Sequence, residues 1–184
     1  MGLQIAFVVF GMMCDLLLGI FLPQDYSYMH LLFIPQITFL CILLVTQRKP
    51  LPQVILIALT IGIILDLNQS GYIFLNTLTY TVTIYLVYLW LTRVSESIFE
   101  TLLLIIVAIF CKELLVYAYM IVFNFTHLSF THWFAYREFL TLIGHIPLSL
   151  GLIYLNRIRI DFENHIDIKR RSKESPLWID ASGS

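Results

Sequence analysis

Charge is what this sequence has least of. Lys, Arg, Asp and Glu together make up 12% of its 184 residues, against 59% hydrophobic residues; the charged share is about half that of an ordinary soluble domain. That shortage excludes a water-soluble fold and marks an integral membrane protein, with no length left for a separate soluble catalytic domain. Recognisable catalytic signatures are also missing: there is no Walker loop, no H-E-x-x-H and no G-x-S-x-G, and the few serines have no partnering pattern. Cysteine is scarce, and Cys14, Cys41 and Cys111 fall inside apolar stretches without metal-ligand spacing. They read as small buried hydrophobes, so no metal or other cofactor is expected and the protein is expected not to be an enzyme. The first apolar stretch lacks a basic leader and an A-x-A-like cleavage site, and reads as a retained span.

What is present is a series of apolar segments long enough for about six spans of roughly 20 residues. They run at about Leu3 to Leu22, Leu31 to Thr46, Pro52 to Leu67, Tyr72 to Leu91, Ser97 to Phe123 and His132 to Leu155. The second contains Pro35, tolerable inside a span if neighbouring helices satisfy the freed carbonyl. The expected fold is therefore an all-α integral membrane protein of six transmembrane helices, with residues 1–156 as the membrane domain and 157–184 as a polar tail. The tail has too little apolar surface to fold by itself, and is too short and too mixed in charge to serve nucleic acid; its basic run from Lys169 to Lys173 suits anionic membrane lipid. Its last residues, Ala181 to Ser184, resemble a linker remnant and are left out of the fold reasoning.

Orientation follows from the basic residues outside the spans. Arg48, Lys49 and Arg93 lie after spans two and four, and Arg157, Arg159, Lys169, Arg170, Arg171 and Lys173 after span six, whereas the loops after spans one, three and five contain none. Basic residues in short loops stay in the cytoplasm, which puts both termini on that side of a cell membrane and requires an even number of spans.

The stretch from Gly62 to Tyr80, GIILDLNQSGYIFLNTLTY, organises the rest: an apolar helix meets Asp66, then a polar turn from Asn68 to Gly71, then a second apolar helix. A carboxylate near hydrocarbon costs several kcal/mol unless a turn, a protein interior or a site holds it. Asp15, Lys112, Glu113, Arg137 and Glu138 also lie within spans. Spans five and six are antiparallel neighbours, so Lys112 or Arg137 can pair with Asp66, Glu113 or Glu138 in a buried ionic network. The structural reading, charges that fix helix register or receive a partner, outweighs a substrate or proton pathway; snorkelling to the headgroups is the ordinary alternative for Arg137 and Glu138. Gly11, Asp15 and Gly19 recur at four-residue spacing on one helical face, which either receives a partner helix or packs beside Lys112. His145, two residues before Pro147, reads as a core histidine.

Gly62-Ile63-Ile64-Leu65-Asp66, followed by Gly71, Asn76 and Tyr80, resembles the corresponding stretch of the bacterial rod shape-determining membrane protein MreD family, as do the length and the six apolar segments. A glycine often seen before the family's asparagine is Leu75 here. The resemblance implies a non-enzymatic scaffold of the cell-elongation machinery in the bacterial cytoplasmic membrane. Such a protein would bind MreC and link MreB with the cell-wall synthases, RodA and a class B penicillin-binding protein. The family is similar in helix arrangement to the substrate-binding S components of ECF-type vitamin transporters, which supplies the alternative: an uptake subunit with a pocket near Asp66, Lys112 and Arg137. Gly11 and Gly19, with large residues between them, make a poor version of the small-residue face such a subunit offers its transport partner.

Overall fold

The computed structural model describes residues 2–21, 33–68, 74–91 and 97–174, and all regular structure among them is helical. The elements are α1 (Gly2–Phe21), α2 (Ile37–Thr46), α3 (Leu51–Asn68), α4 (Leu75–Leu91), α5 (Ile98–Val122), a short α6 (Phe130–Trp133), a π-helical turn (Phe134–Glu138) and α7 (Phe139–Glu174). Three helical runs are long and apolar enough to cross a membrane: Gly2–Phe21, Ile98–Val122 and Phe130–Lys169; α2 and α3 are shorter apolar helices. Gly71 and Tyr72, the loop from Pro23 to His30, the break from Arg93 to Glu96 and the terminal 175–184 lie outside the described residues.

Local chemistry explains most boundaries. Pro52 occupies the first turn of α3, where its missing N–H is no loss. Ser97 begins α5 as an N-cap, its side chain accepting from the Glu100 backbone N–H at 3.2 Å. At the other end, Asn124 takes the left-handed conformation at φ 57° and Phe125 N–H donates to Met120 O at 2.8 Å, which closes the helix with a wrapped C-terminal turn. Thr46, Thr79, Thr83 and Thr141 each donate their hydroxyl to the carbonyl four residues earlier, and so enter apolar packing without an orphaned donor.

The shortest of the main helices is the innermost. All ten residues of α2 are buried, and Phe39 to Val45 form the middle of a core that includes Phe7 and Val8 of α1, Val54 and Ala58 of α3, Tyr80 and Ile84 of α4, Leu104 and Ile109 of α5, and Leu152 and Ile153 of α7. A helix surrounded this way needs no amphipathic face, which is why its sequence is apolar all round.

One expected boundary is corrected. The second apolar segment is not helical through Pro35: residues 33–36 are irregular, and helix begins only at Ile37. Proline disfavours helical backbone at the residue before it, so the helix starts after the proline. Beyond Asn156 the helix goes on into the polar tail, α7 continuing to Glu174. Extending an existing helix requires no nucleation, so a segment unable to fold alone can be helical as a continuation.

Candidate functional site

An α-helix that starts inside an apolar bundle leaves its first backbone N–H groups without partners, and where water is excluded each must be satisfied by protein. At the start of α2 they are. The Asp15 carboxylate of α1 accepts from Ile37 N and Thr38 N, both at 2.8 Å, one oxygen to each. Gln36 N–H donates to His145 Nε2 of α7 at 3.2 Å. Because that nitrogen accepts, the ring proton is on Nδ1, which donates to Thr141 O at 2.6 Å. His145 is thus a core histidine with both nitrogens committed.

The same device appears at the start of α4. Asp66, near the end of α3, accepts from Asn76 N at 2.7 Å and Thr77 N at 2.9 Å, and from the Thr77 hydroxyl at 2.6 Å. Each aspartate follows a glycine by four residues, and each glycine lies against the helix its aspartate caps. A Cβ on Gly62 would sit 2.5 Å from Thr77 Cα; one on Gly11 would sit 2.8 Å from Cys41 Sγ and 3.1 Å from Thr38 Cα. Absence of a side chain lets the backbones approach closely enough for the carboxylate to reach.

Between the two capped helix starts lies the ionic group. Glu113 of α5 is fully buried. Its Oε1 accepts from Lys112 Nζ at 3.0 Å and from the Gln36 side-chain amide, and its Oε2 accepts from Arg137 Nε at 3.1 Å and Nη2 at 2.9 Å. Lys112 Nζ also lies 5.5 Å from the centre of the Tyr80 ring, close enough for the ring face to attract the cation. Arg137 and Glu138 belong to the π-helical turn, a local widening that recurs at functional positions in helices. Glu138 is buried with neither carboxylate oxygen hydrogen-bonded among the described residues.

Asp15, Gln36, Asn76, Lys112, Glu113 and Arg137 all line one cavity of about 90 Å³, beside Tyr80 and the apolar side chains of Leu65, Leu75 and Val116. The residues singled out from sequence therefore converge, with specific differences. The buried ionic network exists, but Lys112 and Arg137 both pair with Glu113, while Asp66 spends its oxygens on a helix start. Arg137 and Glu138 do not snorkel: both are buried. Gly11 and Asp15 face α2, neither an outside helix nor spans five and six, although Asp15 shares the cavity with Lys112. Gly19 has no neighbour among the described residues within 4 Å of a Cβ placed on it. Gly71 lies outside the described residues.

Sequence reasoning missed Gln36, the hub between α2, Glu113 and His145. Its one visible signal is a polar side chain directly after a proline in an otherwise apolar run. Every oxygen of Asp15, Asp66 and Glu113 is already taken by a donor, so the group holds helices together and leaves none of these three carboxylates open to act as a base. Among the described residues, no three His, Cys, Asp or Glu side chains gather as metal ligands. Comparison with protein-family models, curated proteins and solved structures finds no match to this chain.

Proposed function

We propose that this chain is a non-enzymatic membrane scaffold of the MreD type, with six spans and both termini in the cytoplasm of a bacterial cell. In that role it binds MreC in the membrane and takes part with MreB, RodA and a class B penicillin-binding protein in cell elongation. One observation carries the reading. The stretch with the family resemblance is a mechanical joint, in which Gly62 admits α4, Asp66 caps it and Tyr80 lies beneath Lys112. Such residues serve rigidity rather than turnover, and a rigid platform is what a single-span partner needs to dock on. The six-span topology draws support from the basic residues, confined to alternate loops and the tail.

The cavity weighs against the uptake-subunit alternative. Its volume among the described residues, about 90 Å³, is well below the roughly 300 Å³ at which pockets for drug-sized ligands begin.

Purification in mild detergent, followed by identification of the co-purifying proteins, tests the assignment. Recovery of MreC with elongation enzymes is expected; recovery of an ATPase pair with a bound vitamin would replace the scaffold reading by the transporter one. Topology is tested with cysteines at Asn68 and Lys173 in a background without the native cysteines. An impermeant thiol reagent should label the first from outside and the second from inside, and labelling of both from one side would exclude the six-span arrangement.

A further inference from the structure

Arg159 of α7 is a buried cation without a hydrogen-bonded anion. It is 6% exposed, and its Nε and Nη1 are sealed from solvent with no hydrogen-bond partner among the described residues. Phe7 of α1 covers one face of the guanidinium, its ring centre 5.0 Å from Cζ. That contact attracts the charge but takes up no N–H. Glu163, one turn further along α7, attracts the guanidinium without pairing with it among the described residues. Only Nη2 is left to a guest, being neither sealed nor hydrogen-bonded among the described residues.

Its place in the bundle narrows which anion can reach it. Arg48 is an exposed residue of the turn between α2 and α3, and it stands close enough to Arg159 for the two charges to repel. Arg159 is therefore at the end of the bundle where α2 passes to α3, beside a second cation from another element. A buried charge in an apolar bundle is costly unless an opposite charge answers it, and two converging cations ask for the same anion. At the edge of a bilayer the anion at hand is lipid phosphate, and basic sites between membrane helices take up such headgroups. A guanidinium donates to phosphate oxygens in charge-assisted bonds. Its charge is delocalised, so an anion on Nη2 compensates the whole group although Nε and Nη1 stay sealed. Leu155, one turn before Arg159 on the same face of α7, is exposed and apolar, a surface for an acyl chain beside the phosphate.

We propose that Arg159 Nη2, together with Arg48, binds a phosphate group at this end of the bundle. An anionic phospholipid and free phosphate offer the same chemistry. The site needs an end of the bundle and no particular orientation, so it is independent of the scaffold assignment.

The probe is phosphatidylglycerol, added to the full chain in detergent micelles, with retention of the lipid read by native mass spectrometry and diacylglycerol as the phosphate-free control. Phosphatidylglycerol should be retained and diacylglycerol lost. Arg159→Gln should weaken retention at least about ten-fold, a difference of about 1.4 kcal/mol. Arg48→Gln should weaken it to a smaller extent. Arg157→Gln removes the same charge from an exposed position two residues away and should leave retention nearly unchanged. Phosphatidylglycerol retained no better than diacylglycerol, or equal losses from Arg157→Gln and Arg159→Gln, would overturn the proposal, leaving only general attraction between lipid and a basic helix end. If Arg159→Gln does not fold, the exposed pair decides: a loss confined to Arg48→Gln supports the site, and equal effects of Arg48→Gln and Arg157→Gln overturn it. The source is then read by competition. Inorganic phosphate that displaces the lipid and raises the unfolding midpoint by itself assigns the site to free phosphate, and the absence of both effects assigns it to a lipid headgroup.

Discussion

Asp15 stands to α2 as Asp66 stands to α4. Each aspartate gives its two carboxylate oxygens to two successive backbone N–H groups at the start of the next helix, and each lies four residues after a glycine against which that helix packs. A carboxylate at a helix start meets both unpaired donors and the positive end of the helix dipole. The costly charge is thereby held by the backbone of a neighbouring helix, and the two helical hairpins are built to one pattern.

Replacing either aspartate with asparagine keeps the shape but presents an NH₂ group to one of the two backbone donors. Asp15→Asn and Asp66→Asn should each lower stability by about 1–2 kcal/mol, the range for losing a helix cap. Thermal unfolding in detergent measures this. Asp66→Leu should do more damage than Asp25→Leu, because Asp66 alone of the two is known to hold a helix start; equal midpoints for the two leucine variants would remove Asp66 from its central place.

The glycines should separate into two classes. Gly62→Ala places its Cβ against Thr77 backbone atoms, which cannot swing aside, so α3 and α4 must part at a cost of about 1–3 kcal/mol. Gly19→Ala and Gly151→Ala meet nothing among the described residues within 4 Å and gain helix propensity, so they should be neutral or stabilising. A monodispersity profile across detergents, with unfolding midpoints, distinguishes the classes.

Glu113 and Glu138 should respond oppositely to the same substitution. Glu113→Gln leaves Lys112 and Arg137 without their shared anion, and breaking a buried pair of this kind costs about 3–5 kcal/mol. Glu138 has no hydrogen bond to lose among the described residues, so Glu138→Gln should keep or raise the unfolding midpoint. Equal losses from the two variants would show that Glu138 has a structural role its surroundings do not reveal.

The sequence made the costly groups legible, because each intramembrane charge must be satisfied and so draws attention by itself. Asp66 was readable as a carboxylate held at a turn, but its partner was sought in Lys112 or Arg137, whereas it caps the start of α4. Asp15 was readable as a held carboxylate but not as the cap of α2, because that depends on where the chain returns, and Pro35 obscured the start of the helix. Gln36 and His145 carry no charge requirement that would single them out. Their roles arise from α2 and α7 crossing at one point, a matter of packing that no local pattern encodes. The helicity of the run beyond Asn156 was not legible for the same kind of reason: composition describes an isolated segment, whereas this helicity is inherited from the helix before it.

From Phe130 to Glu174 the backbone runs as helix through one π-helical turn, a path of about 65 Å at 1.5 Å per residue, against about 30 Å of bilayer hydrocarbon. A rod of that length exceeds what the hydrocarbon of a bilayer can contain, and Arg137, which clasps Glu113, sits in its π-helical turn, with Pro147 further along. A π turn holds one residue more than an α turn, so restoring regular α-helix there would rotate everything downstream by about 100°. Ile158, Phe162 and Ile166, exposed at four-residue intervals along one side, would sweep through that angle together. The turn that carries Arg137 and its pair with Glu113 is thus a place where one residue's difference in winding sets the heading of that whole exposed face.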